Sequence, residues 1–267
     1  MKIALHGLAF KAEYISDIEI LFQELKNHQI EILVTEPMDR ALKMLGNKRL
    51  SYRVIENEED LASVDFMITI GGDGTLLDAV CLIGKMEIPI LGLNTGRLGF
   101  LATAVTERIG EVIENLATGD FQIESRSLIS LDCNRRLFNG INFALNEFTI
   151  HKRDTSSMIT VHTFIDGKYL NSYWADGLIV STPTGSTGYS LSCGGPLITP
   201  GAKSFVITPV SPHNLNVRPI IVSDDCEISF EIEGRSEKFL ISLDSRSTSI
   251  SSKSMLIIVN SPSSTQL

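Results

Sequence analysis

Val64-Asp-Phe-Met-Ile-Thr-Ile-Gly-Gly-Asp-Gly-Thr-Leu-Leu77 is the stretch on which the reading of this chain turns. A short apolar run rich in Ile ends in three glycines around one aspartate, and a helical pattern follows. Gly71, Gly72 and Gly74 let backbone N–H groups come close to a ligand, and the positive end of the helix points at the same place. Asp73 puts a carboxylate where an anion is expected, which is costly unless that carboxylate takes a proton or holds a metal ion. The combination points to phosphoryl transfer. A plain turn is the competing reading, since Gly-Gly-Asp-Gly also joins two elements well. The stretch is neither a Walker loop, lacking a following Lys-Ser or Lys-Thr, nor Gly-x-Gly-x-x-Gly.

Around this stretch the first 120 residues alternate strand and helix patterns. Lys2–His6, Glu31–Val34, Val64–Ile70 and Ile88–Leu93 read as strands. Ser16-Asp-Ile-Glu19 reads as a capping box opening a helix with Ile18, Leu21, Phe22 and Leu25 on one face. Further helices are expected at Met38–Leu45, after Gly74, and at Glu107–Ala117, with Gly119 as a stop. Strands alternating with helices imply a parallel, Rossmann-like sheet covered on both faces. Ligands of such sheets sit at the carboxyl ends of the strands, where the loops after Ile70 and Leu93 lie.

The pattern changes near Phe121 to short alternating segments rich in Ile, Val, Phe, Ser and Thr. Phe164-Ile-Asp-Gly-Lys-Tyr169 reads as a hairpin on an Asp-Gly turn. Cys226–Ile232, Phe239–Leu243 and Met255–Val259 continue the β pattern. The chain therefore divides into an α/β domain over 1–120 and an all-β, sandwich-like domain over 121–267. The Ser-rich stretches 247–254 and 261–264 read as a turn and a frayed tail.

At 267 residues, with 43% hydrophobic and 21% charged residues, the chain has the make-up of a globular protein with a substantial core. The net charge of −9 argues against a nucleic-acid partner, and no apolar run approaches a membrane span. The N-terminus lacks a secretory pattern, so a cytoplasmic location is expected. Cys81, Cys133, Cys193 and Cys226 form no Cys-x-x-Cys pair, and the histidines form no ligand cluster, so no protein-held metal is expected. His213, after Ser-Pro, reads as a satisfied buried histidine.

Gly71-Gly-Asp-Gly-Thr75 is the signature of a kinase superfamily shared by NAD kinases, diacylglycerol-type lipid kinases and, more distantly, phosphofructokinases. Four further segments fall in order: Asn94-Thr-Gly-Arg-Leu-Gly-Phe100, Asn146-Glu147, Asp176 to Pro196 with Thr182-Pro-Thr-Gly-Ser-Thr-Gly-Tyr189 inside it, and Thr208-Pro-Val-Ser-Pro-His213. Together these resemble the NAD kinase family over most of the chain. The resemblance implies phosphoryl transfer from ATP or polyphosphate to the 2′-hydroxyl of the adenosine ribose of NAD, giving NADP.

By that resemblance Asp73 is the general base, since a ribose hydroxyl must lose its proton as the phosphorus bond forms. A helix N-cap is its plain alternative. Gly71, Gly72, Gly74 and Thr75 would cradle the donor phosphates, with Arg97 meeting a phosphate or else making a surface ion pair. NAD would be held by Gly74, Phe100, Asn146, Glu147, Asp176, Thr184, Thr187, Gly188, Tyr189, Ser192 and Asp244. An amide beside a carboxylate suits adenine edges and ribose hydroxyls, Tyr189 offers a stacking face, and Asp176 falls to the nicotinamide half. Phe100 reads equally well as a core residue. Gly188 stands where the family has Ala, and Asp244-Ser245 where it has Asp-Gly. Mg²⁺ would arrive with the donor.

In several family members the Asp176 contact comes from a neighbouring subunit, so a homo-oligomer, dimer or tetramer, is expected. Family members usually continue past the last β segment with a chain that returns to the first domain, and that segment is expected to be missing or very short here. Two other readings stay open: a silent NAD(P) sensor, and a lipid kinase, which the Asn-Glu and Thr-Pro-Thr-Gly-Ser-Thr segments disfavour.

Overall fold

The computed structural model describes residues 1–46, 50–96, 99–153, 157–214, 216–251 and 254–267; Arg97 lies outside them. The chain divides into two units, Met1–Ser125 with Thr265–Leu267, and Arg126–Ser264.

The first unit is built on β1 (Lys2–His6), β2 (Glu31–Val34), β3 (Arg53–Val54), β4 (Phe66–Ile70), β5 (Ile90–Asn94) and β6 (Ala104–Val105). Its helices are α1 (Ile15–Asn27), α2 (Glu36–Met44), α3 (Glu58–Ala62), α4 (Asp73–Ile83) and α5 (Ile109–Thr118). The sheet runs β3-β2-β1-β4-β5-β6 with every pair parallel. Strand order reverses between β1 and β4, the point at which a doubly wound sheet opens a crevice. Alternate residues explain the layering. Ile3, Leu5, Ile68, Ile70 and Leu93 join one apolar cluster with Ile18, Leu21 and Leu25 of α1 and Ile113 of α5. The residues between them point the other way, where His6 Nε2 lies 3.1 Å from Asp78 Oδ2 of α4. Each fully buried Leu or Ile here contributes about 1.5–3 kcal/mol.

Local signals account for the helix ends. Thr35 caps α2 through the Met38 amide, Asn57 caps α3 through the Asp60 amide, and Gly119 ends α5 at φ 81°. The capping box at Ser16 is not formed. A 3₁₀ turn, Ala12–Tyr14, leads into α1, so Ser16 is its second residue and Tyr14 is a cap without a side-chain bond. The expected buried face of Ile18, Leu21, Phe22 and Leu25 is present.

The second unit has two six-stranded sheets. Its strands are β7 (Ser125–Cys133), β8 (Phe143–Ala144), β9 (Glu147–Lys152), β10 (Ile159–Ile165), β11 (Lys168–Ala175), β12 (Gly177–Ser181), β13 (Ser204–Val210), β14 (Ile220–Ser223), β15 (Ile228–Glu233), β16 (Lys238–Leu243), β17 (Arg246–Ser251) and β18 (Leu256–Gln266), with one short helix, α6 (Tyr189–Ser192). One sheet runs β11-β10-β15-β18-β7-β8, and the other, β14-β13-β12-β9-β16-β17, is antiparallel throughout. Phe148, Ile150, Phe205 and Phe239 of the second sheet and Val161, Tyr173, Ile228 and Phe230 of the first share one core. The sheets therefore form a sandwich. Asp166 and Gly167 turn the β10–β11 hairpin at φ 49° and 73°, as the Asp-Gly pair demands.

Two serine-rich readings are overturned. Arg246–Ser251 is a strand antiparallel to β16, and residues 261–264 lie inside β18. Serine alternating outward from a paired strand keeps the ladder while exposing hydroxyls. The final residue, Leu267, exchanges backbone hydrogen bonds of 2.8 and 2.9 Å with Glu124, both residues belonging to the first unit. No helix among the described residues is long and apolar enough to cross a membrane.

Candidate functional site

In the first unit, β4 delivers the chain to Gly71 and α4 starts at once, with Gly72 as its N-cap. Gly71 donates its amide to the Leu93 carbonyl at 2.9 Å, and a Cβ there would stand 3.0 Å from Thr75 Cβ. What Gly71 contributes is closeness. Gly72 and Gly74 are different: a Cβ on either would meet nothing within 4 Å. Packing within the unit does not require glycine at these two positions, and both are exposed at the start of α4, where the Thr75 amide already bonds to the Gly72 carbonyl at 3.0 Å and those of Asp73 and Gly74 have no acceptor within the helix.

Asp73 is the first residue of α4, and its side chain does not cap that helix. Its carboxylate turns to the loop after β5. Oδ2 accepts the Phe100 amide at 3.0 Å, and Oδ1 accepts those of Leu101 and Ala102, both at 3.1 Å. A carboxylate has about four acceptor positions. Three are filled, leaving one on Oδ2. Asn94 holds the same loop, accepting the Gly96 amide at 2.7 Å and donating to the Ala102 carbonyl at 3.3 Å. Phe100 is 62% exposed, so it is not a core residue.

In the second unit Asn146 and Glu147 stand where β9 begins, beneath the 182–189 segment. Thr182 donates its amide to the Asn146 carbonyl at 2.9 Å and its hydroxyl to that of Leu145. A Cβ on Gly185 would sit 2.7 Å from Asn146 Cα, so only glycine lets the two backbones come this close. Gly188 lies against Glu147, where a Cβ would stand 3.1 Å from Oε2. Asn146 Oδ1 and Glu147 Oε2 are buried without a hydrogen-bond partner. Burial first, and the Asp244 charge second, push the Glu147 carboxyl up to about 7, against the stabilising Tyr189 amide. Buried polar atoms are nearly always hydrogen-bonded, so each of these two adjacent oxygens calls for a donor.

The hydroxyl-rich loop divides by burial. Ser186 accepts the Ile198 amide at 3.0 Å and donates to the Pro183 carbonyl, and Ser190 pairs with Thr208 at 2.8 Å. These hydroxyls hold the loop's shape. Thr184 lies 3.5 Å from an Arg126 nitrogen, and Thr187 donates to the Thr184 carbonyl. Tyr189 is half-exposed and stacks on His151 at 5.6 Å, while Ser192 is exposed on α6. Asp176 forms an ion pair with Lys152. Asp244 sits in the β16–β17 turn at φ 51°, and its carboxylate accepts the amides of Leu145, Asn146 and Glu147. Motifs alone revealed neither these amide bonds nor the His151 and Lys152 partners. His213 is exposed and packs on the Trp174 ring at 4.3 Å, contrary to the buried histidine expected.

Comparison with known proteins places the chain in a family. A family profile described as the ATP-NAD kinase N-terminal domain matches residues 9–121, and one for the ATP-NAD kinase C-terminal domain matches 145–267. The NAD kinase of Cytophaga hutchinsonii is 52% identical over 259 residues, covering 97% of this chain and 89% of that one. That of Flavobacterium psychrophilum is 45% identical over 98% of this chain and 90% of its own length. Among solved structures, an NAD kinase from Archaeoglobus fulgidus in complex with ATP matches with TM-score 0.79 at 26% identity, over 100% of this chain and 93% of that chain. Yeast NADH kinase complexed with NADH matches with TM-score 0.85 over 100% of this chain and 82% of that one, a likeness of fold at 22% identity.

Proposed function

The chain belongs to the NAD kinase family, and from that premise we propose how its own residues carry phosphoryl transfer to NAD. Asp73 acts as the base. Its open Oδ2 position takes the proton of the 2′-hydroxyl on the adenosine ribose, the 2′-oxygen bonds to the terminal phosphorus of the donor, and the bond from that phosphorus to its bridging oxygen breaks. NADP and the shortened donor, ADP when ATP is used, are the products. Fixed by three amides, the carboxylate needs no reorganisation as the proton moves.

Gly72, Gly74 and the first turn of α4 receive the donor phosphates, with Gly71 and Thr75 shaping the turn beneath them. The unpartnered oxygens of Asn146 and Glu147 meet the adenosine half of NAD: the ionised Glu147 accepts ribose hydroxyls, and Asn146 pairs with a base edge. Thr184, Thr187, Gly188, Tyr189 and Ser192 line that half, the exposed Phe100 ring is a further contact for adenosine, and Asp176 serves the nicotinamide end. A divalent cation, when bound, neutralises charge on the donor. Mg²⁺ would arrive with the donor. The working form in this reading is a cytoplasmic homo-oligomer.

The observation that carries this reading is the pair of exposed glycines, 72 and 74, for which packing gives no reason, beside a carboxylate with one open acceptor position. It is tested by assaying NADP formation from NAD and Mg²⁺ with ATP or polyphosphate, beside 2′-deoxy-NAD. The expected result is turnover of NAD and none of the deoxy analogue. Phosphorylation of the analogue would refute the assignment of the 2′-oxygen.

A further inference from the structure

The backbone around Asn146 and Glu147 is fully accounted for by two residues. Asp244 accepts the Leu145 amide on Oδ2 at 3.0 Å, and the Asn146 and Glu147 amides on Oδ1 at 2.9 and 3.1 Å. It also returns its own amide to the Glu147 carbonyl at 3.0 Å. Thr182 takes the remaining two carbonyls, those of Leu145 and Asn146. No backbone polar group of 145–147 is left over, while one oxygen of each side chain has no partner. Long-range ties of this kind, from a turn about a hundred residues away, fix a local conformation that short-range propensity does not dictate. Arg246, next but one in sequence, anchors the turn itself by donating to the carbonyls of Ile141 and Phe143.

We propose that Asp244 is a positioning residue for the dinucleotide end of the reaction, holding Asn146 and Glu147 so that their free oxygens meet the adenosine half of NAD. The assignment rests on the function proposed above and assigns Asp244 a supporting role where direct contact with NAD was expected. Burial pushes the Asp244 carboxyl above its ordinary range while the three amides and Arg246 pull it back toward the ionised form, and its charge has a second effect. The charged groups facing Glu147 are Asp244 and, behind it, Arg246; the 184–192 segment offers the Tyr189 amide, and Arg126 of β7 reaches Thr184. Asp244 is therefore the group that works against ionisation of Glu147, after burial itself.

The test is steady-state kinetics of the full chain carrying Asp244→Asn, with NAD and donor varied separately across pH. Asn leaves at least one of the three amides facing its NH₂ group, so the Asn146–Glu147 backbone shifts. The KM for NAD should rise about tenfold or more while the donor KM stays within about twofold. The wild-type profile of kcat/KM for NAD should rise with pH with a midpoint near 7, as Glu147 ionises. In Asp244→Asn that midpoint should move to lower pH yet stay above the ordinary carboxyl range, because burial remains. An unchanged NAD KM, or both KM values rising together with the midpoint unmoved, would overturn the assignment.

If Asp244→Asn does not fold, Asp244→Glu serves. It should raise the NAD KM with the midpoint still near 7, and a wild-type KM would count against the proposal. A wild-type chain that forms no NADP refutes the kinase reading instead. NAD affinity measured by calorimetry then decides Asp244 alone: a loss of about tenfold supports it, and equal affinity in the two proteins overturns it.

Discussion

Gly99 lies against the carboxylate of Asp73 so closely that a Cβ built on it would stand 2.5 Å from Asp73 Cγ. The next three amides, of Phe100, Leu101 and Ala102, all point at that carboxylate. Glycine at 99 is thus a condition for the loop to dock on the base. Gly99→Ala should lower kcat by about a hundredfold, since displacement near 1 Å costs that much at a reacting centre. Its effect on stability should be small, because Gly99 sits in a loop outside the core. Measuring kcat beside Tm separates the two, and a loss of Tm with kcat preserved would show that the contact is only structural.

Gly185 performs the corresponding service in the second unit, where a side chain would press into the Asn146 backbone. Gly185→Ala should raise the KM for NAD about tenfold and leave the donor KM alone. Separate titrations of the two substrates check this.

Burial of Glu147 has a consequence for stability that runs against the usual carboxylate. Its pKa is raised from 4.5 to about 7 in the folded chain, so between those values the folded state keeps a proton that the unfolded state has lost. Stability from this group is present below pH 4.5 and is lost as pH rises to 7. At ~1.4 kcal/mol per pH unit the cost above pH 7 is on the order of 3 kcal/mol. Glu147→Gln should therefore raise Tm at pH 8 and lose that advantage near pH 5. Denaturation of both proteins at the two pH values is the measurement, and a gain that is equal at both would contradict it.

Ser186 and Thr187 are neighbours with opposite expectations. Removing the Ser186 hydroxyl leaves the Ile198 amide without its acceptor, so Ser186→Ala should cost about 1–3 kcal/mol. Thr187→Ala gives up one bond to the Thr184 carbonyl at a half-buried position and should cost under about 1 kcal/mol. Urea unfolding of the two variants tests the contrast.

Local signals made much of this molecule legible. Apolar runs interrupted by helix patterns gave the parallel sheet, and Asp166-Gly167 gave its hairpin through two positive φ angles that few other pairs adopt. Where composition and periodicity competed, composition misled: Arg246–Ser251 is rich in serine and arginine yet keeps the alternation of a strand. At the site, the motifs named the residues but not their bonds. Asp73 is tied to amides 27 to 29 positions away, and Asp244 to amides 97 to 99 positions away. No sequence period encodes contacts at that range. The division of the hydroxyl loop into structural Ser186 and Ser190 and accessible Tyr189 likewise depends on what packs beneath it.

The role of Asp73 as base is tested by the rate of NADP formation by Asp73→Asn beside wild type, with NAD affinity measured calorimetrically on both. Asn keeps an oxygen for the Leu101 and Ala102 amides, turns its NH₂ toward that of Phe100, and cannot take a proton. The expected result is that kcat falls by about 10²–10⁴ while NAD affinity stays within about threefold. A variant that turns over within about tenfold of wild type would show that Asp73 is not the base.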